Sequence, residues 1–92
     1  MIDLKTVAKQ SDAYTVRQLG EETIFLSPQG DEIHSLDPVG TYIFQLMDGQ
    51  LDLARVLDCL CDEYDVEPEQ ARTDLLEFVR ELVERKLLLV EE

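Results

Sequence analysis

Residues 33–49 read Ile-His-Ser-Leu-Asp-Pro-Val-Gly-Thr-Tyr-Ile-Phe-Gln-Leu-Met-Asp-Gly, and the fold turns on what happens at their middle. Asp37 followed by Pro38 is a helix start, because the carboxylate accepts from free backbone N–H groups and proline tolerates the first helical position. The helix runs to about Asp48 and stops at Gly49. On the other side of Asp37 the chain is extended. Asp31 to Leu36 reads as a strand at a sheet edge, with Ile33 inward and Glu32 and His34 on the opposite face. Ser35 then has two possible roles: an attachment point for a covalent group, or part of an edge strand that receives a partner.

Working outward, Tyr14–Leu19 is β-prone, Gly20-Glu21 makes a turn, and Thr23–Leu26 is a short apolar run closed by Ser27-Pro28-Gln29-Gly30. Residues 1–13 carry only scattered apolar groups (Ile2, Leu4, Val7) and read as a loosely attached or flexible arm, with the folded domain over residues 14–92. C-terminally, Asp52 caps a second helix whose Leu53, Val56, Leu57, Leu60 and Tyr64 share an arc of roughly 100°. A third helix opens at Glu67-Pro68 and continues to about Lys86, with apolar residues over about 180° of its circumference, wider than one packing contact requires. Leu87–Val90 either adds a strand or extends the core. The expected class is α+β, a three-stranded antiparallel sheet followed by three helices.

The 92 residues form one domain at a size where buried surface is modest. With 21 acidic against 8 basic residues the net charge is −13, which repels nucleic-acid phosphates and anionic lipid and favours a basic partner. No segment has the length of a membrane span or the apolar region of a signal peptide, so a cytoplasmic location is expected. Cys59 and Cys61, about 200° apart on a helix, suit neither a disulfide nor a shared metal ion, with Cys61 half-buried and Cys59 exposed.

Chemistry lacks its parts. There is one histidine, no glycine-rich phosphate loop and no Ser or Cys with an evident base, so no catalytic residue, cofactor or metal is expected. The acidic run Asp62, Glu63, Asp65, Glu67, Glu69 has neither the ligand alternation nor the central glycine of a calcium loop. The Ser35-Leu36-Asp37 stretch is similar to the attachment motif of acyl or peptidyl carrier proteins, which would put phosphopantetheine on Ser35. However, His34 replaces the expected Asp, and strands precede Ser35 where a carrier protein has a long helix.

From about Tyr14 to Val90 the chain resembles the PqqD-like family, the recognition elements of ribosomally made and modified peptides, named for a small protein of pyrroloquinoline quinone biosynthesis. The resemblance rests on EIHSLDPVGTYIFQLMDG, on Asp52-Leu53-Ala54-Arg55-Val56, and on EYDVEPEQARTDLLEFVRELVERKLL. Phe44 stands where many relatives carry Trp. The resemblance implies a winged-helix-like fold that binds the leader segment of a precursor peptide and presents it to a modifying enzyme, often a radical S-adenosylmethionine protein. The leader would lie between the third strand and third helix, here Asp31, Glu32, Ile33, His34, Ser35 and Leu36 on one side and Leu75, Phe78, Val79 and Leu82 on the other. Main-chain pairing at an open edge supplies affinity and side-chain pockets supply selectivity. Glu32 and Asp74 would favour basic groups in the leader.

Two rivals of other classes remain. A winged-helix transcription factor needs a basic recognition helix, but the third helix carries Glu69, Asp74, Glu77, Glu81 and Glu84 against Arg72, Arg80, Arg85 and Lys86. A structural subunit would use the same apolar face for self-association, and composition does not separate it from a groove.

Overall fold

The structure is a computed structural model and describes residues 2–90. In chain order the elements are β1 (Val7–Gln10), β2 (Thr15–Leu19), β3 (Glu22–Leu26), β4 (Ile33–Leu36), α1 (Pro38–Gln45), β5 (Asp48–Asp52), α2 (Leu53–Glu63), α3 (Pro68–Glu84) and β6 (Leu88–Val90). They build two antiparallel three-stranded sheets, ordered β2-β3-β4 and β5-β1-β6, around one apolar core. No described helix is long and apolar enough to cross a membrane.

The first sheet and the three helices are those expected. Gly20, at φ +62, sits at the first position of the two-residue turn joining Leu19 to Glu22, as a type II′ hairpin requires. The Asp37 carboxylate accepts from the Gly40 amide at 2.7 Å and the Asp52 carboxylate from the Arg55 amide at 2.9 Å, so both predicted caps are made. Phe25 of β3 and Phe44 of α1 meet edge to face, ring centroids 4.9 Å apart, and join this sheet to the helical layer.

The second sheet corrects two expectations and decides a third that was open. Residues 1–13 are not a loose arm where they are described: β1 is the central strand, pairing with β5 on one side and β6 on the other, and Ala8 is fully buried. Helix α1 ends at Gln45, not near Asp48. β5 begins at Asp48, whose carboxylate accepts from the Gln50 and Leu51 amides, and Gly49 follows at φ +85. The apolar run after α3 is a strand. It is delivered by a reversed turn at Lys86 (φ +66), where the Leu87 amide donates to the Leu82 carbonyl at 2.9 Å and the Lys86 amide to that of Val83 at 3.0 Å. Cys59 is half-buried, as Cys61 is, rather than exposed.

One buried polar pair fixes how α1 sits on the first sheet. The Thr23 hydroxyl donates to the Thr41 hydroxyl oxygen at 2.8 Å, and Thr41 in turn reaches the Leu36 carbonyl at 3.4 Å, with both side chains almost wholly buried. Thr41→Val leaves the Thr23 donor without a partner and is expected to lower stability by about 1–3 kcal/mol, whereas the double Thr23→Val/Thr41→Val change removes both groups and is expected to lower it less. Urea denaturation of the two single variants and the double variant checks this, and a double loss equal to the sum of the single losses would show that the pair is not coupled.

Candidate functional site

The sheet order leaves β4 at an edge, and hydrogen bonding decides which of its backbone groups are free. The Ser27 amide donates to the Glu32 carbonyl at 3.1 Å. Carried along the register Phe25↔His34 and Thr23↔Leu36, this turns the amides and carbonyls of Glu32, His34 and Leu36 toward β3. Those of Ile33 and Ser35 point away from the sheet. Side chains alternate at right angles to this pattern: Leu36 is buried, His34 half-buried, and Ser35 exposed. Ile33 is 67% exposed and so faces outward, the reverse of the inward position expected for it. The cause is cross-strand pairing, since His34 opposite Phe25 shares the core face.

Beside the C-terminal end of β4, and between it and α3, lies an open cleft of about 630 Å³. Its strand wall is Ser35 and Leu36, with Glu22 from β3. From α3 it takes Asp74, Leu75, Phe78, Glu81 and Leu82, and from its C-cap Arg85, which together form a stripe along one helix face. Asp37, which caps α1, with Val39, Gly40 and Ile43 of that helix, and Leu60, Tyr64 and Val66 from α2 and the loop after it complete the lining. Gly40 lets α1 and α3 come close: a Cβ there would stand 3.2 Å from Phe78 Cε1 and 3.1 Å from the capping Asp37 Oδ1.

The cleft therefore gathers Ser35, Leu36, Leu75, Phe78 and Leu82 of the expected residues. Val79 is fully buried and belongs to the core. Asp31, Glu32, Ile33 and His34 lie off the cleft, toward the other end of the strand. There Ser27 Oγ accepts from the Asp31 and Glu32 amides, and Glu32 holds Tyr14 Oη at 3.1 Å and His34 Nε2 at 3.7 Å. Tyr14 also meets His34 edge-on. Burial, and then the Glu32 hydrogen bond, raise the Tyr14 pKa above the ordinary tyrosine value. The contributions of α1 and of the Tyr64–Val66 segment were missed. Their signals in the sequence are Gly40 inside a helix, which marks a close approach, and Val39 with Ile43 one turn apart.

Ser35 lies within a strand, flanked by paired residues, not in the loop before a helix. That placement removes the geometric basis of the carrier-protein reading.

Among known proteins, the family model described as coenzyme PQQ synthesis protein D (PqqD) matches residues 22–88. The solved structure of TbiB1 in complex with the TbiA(beta) leader peptide is 31% identical over 87% of this chain and 93% of that one, with a TM-score of 0.77. A lasso peptide synthetase B1 complexed with the leader peptide, 24% identical, shares the fold at a TM-score of 0.78 over 90% of this chain and 98% of that one. No curated protein matches the chain.

Proposed function

The chain belongs to the PqqD family, and from that premise we propose that it binds the leader segment of a ribosomally made precursor peptide and presents it to a peptide-modifying enzyme. It does so without catalysis, in the cytoplasm where the precursor is made, and radical S-adenosylmethionine proteins are the first class of recipient to test. The observation that carries this reading is the adjacency of an open strand edge and an apolar cleft. Ile33 and Ser35 offer free amides and carbonyls, and Leu36, Phe78 and Leu82 lie within reach of one face of a strand laid against them. An extended peptide added at β4 satisfies its own backbone groups there, and every second side chain enters the cleft.

Phe78 is the test residue for the cleft, because it is half-buried at the edge of the core, whereas Leu75 and Val79 are fully buried within it. Phe78→Ala is expected to weaken leader binding about tenfold, roughly 1–2 kcal/mol, in a chain that still melts cooperatively though at a lower Tm. Calorimetric titration measures the first and a thermal melt the second, and unchanged affinity would place the peptide elsewhere. The function itself is tested by amide NMR titration with leader peptides from short reading frames beside the gene. Saturable shifts are expected in residues 33–36 and along the α3 stripe from Asp74 to Arg85. A folded protein that shows none with any neighbouring peptide would overturn the proposal.

A further inference from the structure

The cleft is apolar at its floor and acidic at its rim. Leu36, Ile43, Leu60 and Leu82 are buried at its base, while Glu22, Asp37, Asp74 and Glu81 bring four carboxylates to its lining. The single cation there, Arg85, places Nη2 2.7 Å from Glu81 Oε1 and so is already engaged. Asp37 spends one oxygen on the Gly40 amide and Asp74 one on Gln70 Nε2, leaving the other oxygen of each open to a donor. The chain as a whole carries −13, so the long-range field has the same sign as the cleft.

We propose that this cleft selects its peptide by positive charge: the occupant is an extended segment that presents Lys or Arg on the same face as its apolar side chains. The inference rests on the leader-binding reading and specifies the substrate class of that site. An anionic segment laid along β4 would bring like charges together in a partly desolvated groove, and a neutral one would leave the rim without partners. Geometry sets the spacing. Asp74 and Glu81 are two turns apart on α3, roughly 10.5 Å, and side chains on one face of a strand recur at about 6.8 Å, so cations two or four residues apart reach Asp74 and the Glu81 Oε2 that the Arg85 contact leaves open.

The test uses a random library of about twelve residues, panned on the intact protein, with Ser35→Pro as the counter-selection; the length covers the roughly 35–40 Å of an extended strand. The selected pool is expected to be enriched in Lys and Arg interleaved with apolar residues at even spacing. Replacing those cations by Glu in the best binder is expected to weaken it at least about tenfold. Its affinity is expected to fall several-fold between about 50 and 300 mM salt, as exposed charge pairs are screened. Asp74→Lys/Glu81→Lys, both at exposed positions, is expected to reverse the preference and accept the Glu peptide. A pool with no charge bias, bound equally by Asp74→Asn/Glu81→Gln and indifferent to salt, would overturn charge selection while leaving peptide binding standing. A pool not enriched over the Ser35→Pro control would remove both.

Discussion

Deletion of residues 1–12 is expected to leave a chain that does not fold. β1 lies between β5 and β6, so its loss unpairs two strands at once and leaves the second sheet without a middle. The backbone groups of Asp48, Asp52 and Leu88–Val90 that pair with it lose their partners. Ala8 itself is fully buried, and Met47, Leu53 and Leu88 beneath this sheet are at most 1% exposed. Re-exposing even two such side chains removes about 3–6 kcal/mol, and stranded backbone groups add about 1–3 kcal/mol each if they stay buried. That sum approaches or exceeds the roughly 5–15 kcal/mol that holds a whole domain together. Amide NMR dispersion and a thermal melt of the truncated chain measure the effect, with no cooperative transition expected. Ala8→Glu, which forces a charge into the same site at full length, is expected to lower stability by several kcal/mol. A truncated chain with an unaltered melt would return these residues to the status of an arm.

The same strand shows where the sequence stops being legible. Turn and cap chemistry is local: Gly20 in a two-residue turn and Asp37 and Asp52 ahead of their helices act within three or four residues, and each is found as read. β1 and β5 are not local. Val7-Ala8-Lys9-Gln10 and Asp48-Gly49-Gln50-Leu51-Asp52 have weak strand propensity and become strands because each supplies the other's hydrogen bonds across more than thirty residues. Ile33 misled for a related reason. Over four residues period two places an apolar side chain on either face, Ile33 on one and Leu36 on the other, and only the pairing of His34 with Phe25 selects between them. The breadth of the apolar face of α3 was readable, and so was its implication of a second contact. The division of that face, with Ala71 and Val79 in the core and Phe78 in the cleft, depends on where α1 crosses it at Gly40.

Ser35→Pro is expected to abolish measurable leader binding in a protein that remains folded. The argument depends on which way one amide points. His34 and Leu36 pair with β3, so proline at either position would remove a hydrogen bond of the native sheet. Ser35 has its amide on the open side, where its loss does not touch the fold, and its side chain is exposed, so the pyrrolidine ring meets solvent rather than core. An added strand sees the reverse. It loses a donor at the middle of the docking edge, meets the ring where its own carbonyl should approach, and is displaced from the register that brings its side chains over Phe78 and Leu82. One missing main-chain bond accounts for about 1 kcal/mol, the stranded peptide carbonyl for about 1–3 kcal/mol more, and the lost register for part of the cleft contacts, together about a hundredfold or greater in affinity. Calorimetry with the native leader reads this, and Ser35→Ala, which keeps the amide and deletes only the hydroxyl, is expected to bind as the unaltered protein does. If Ser35→Ala fails as Ser35→Pro does, the hydroxyl and not the strand edge is the functional group; if Ser35→Pro binds as the unaltered protein does, recognition by strand addition is wrong.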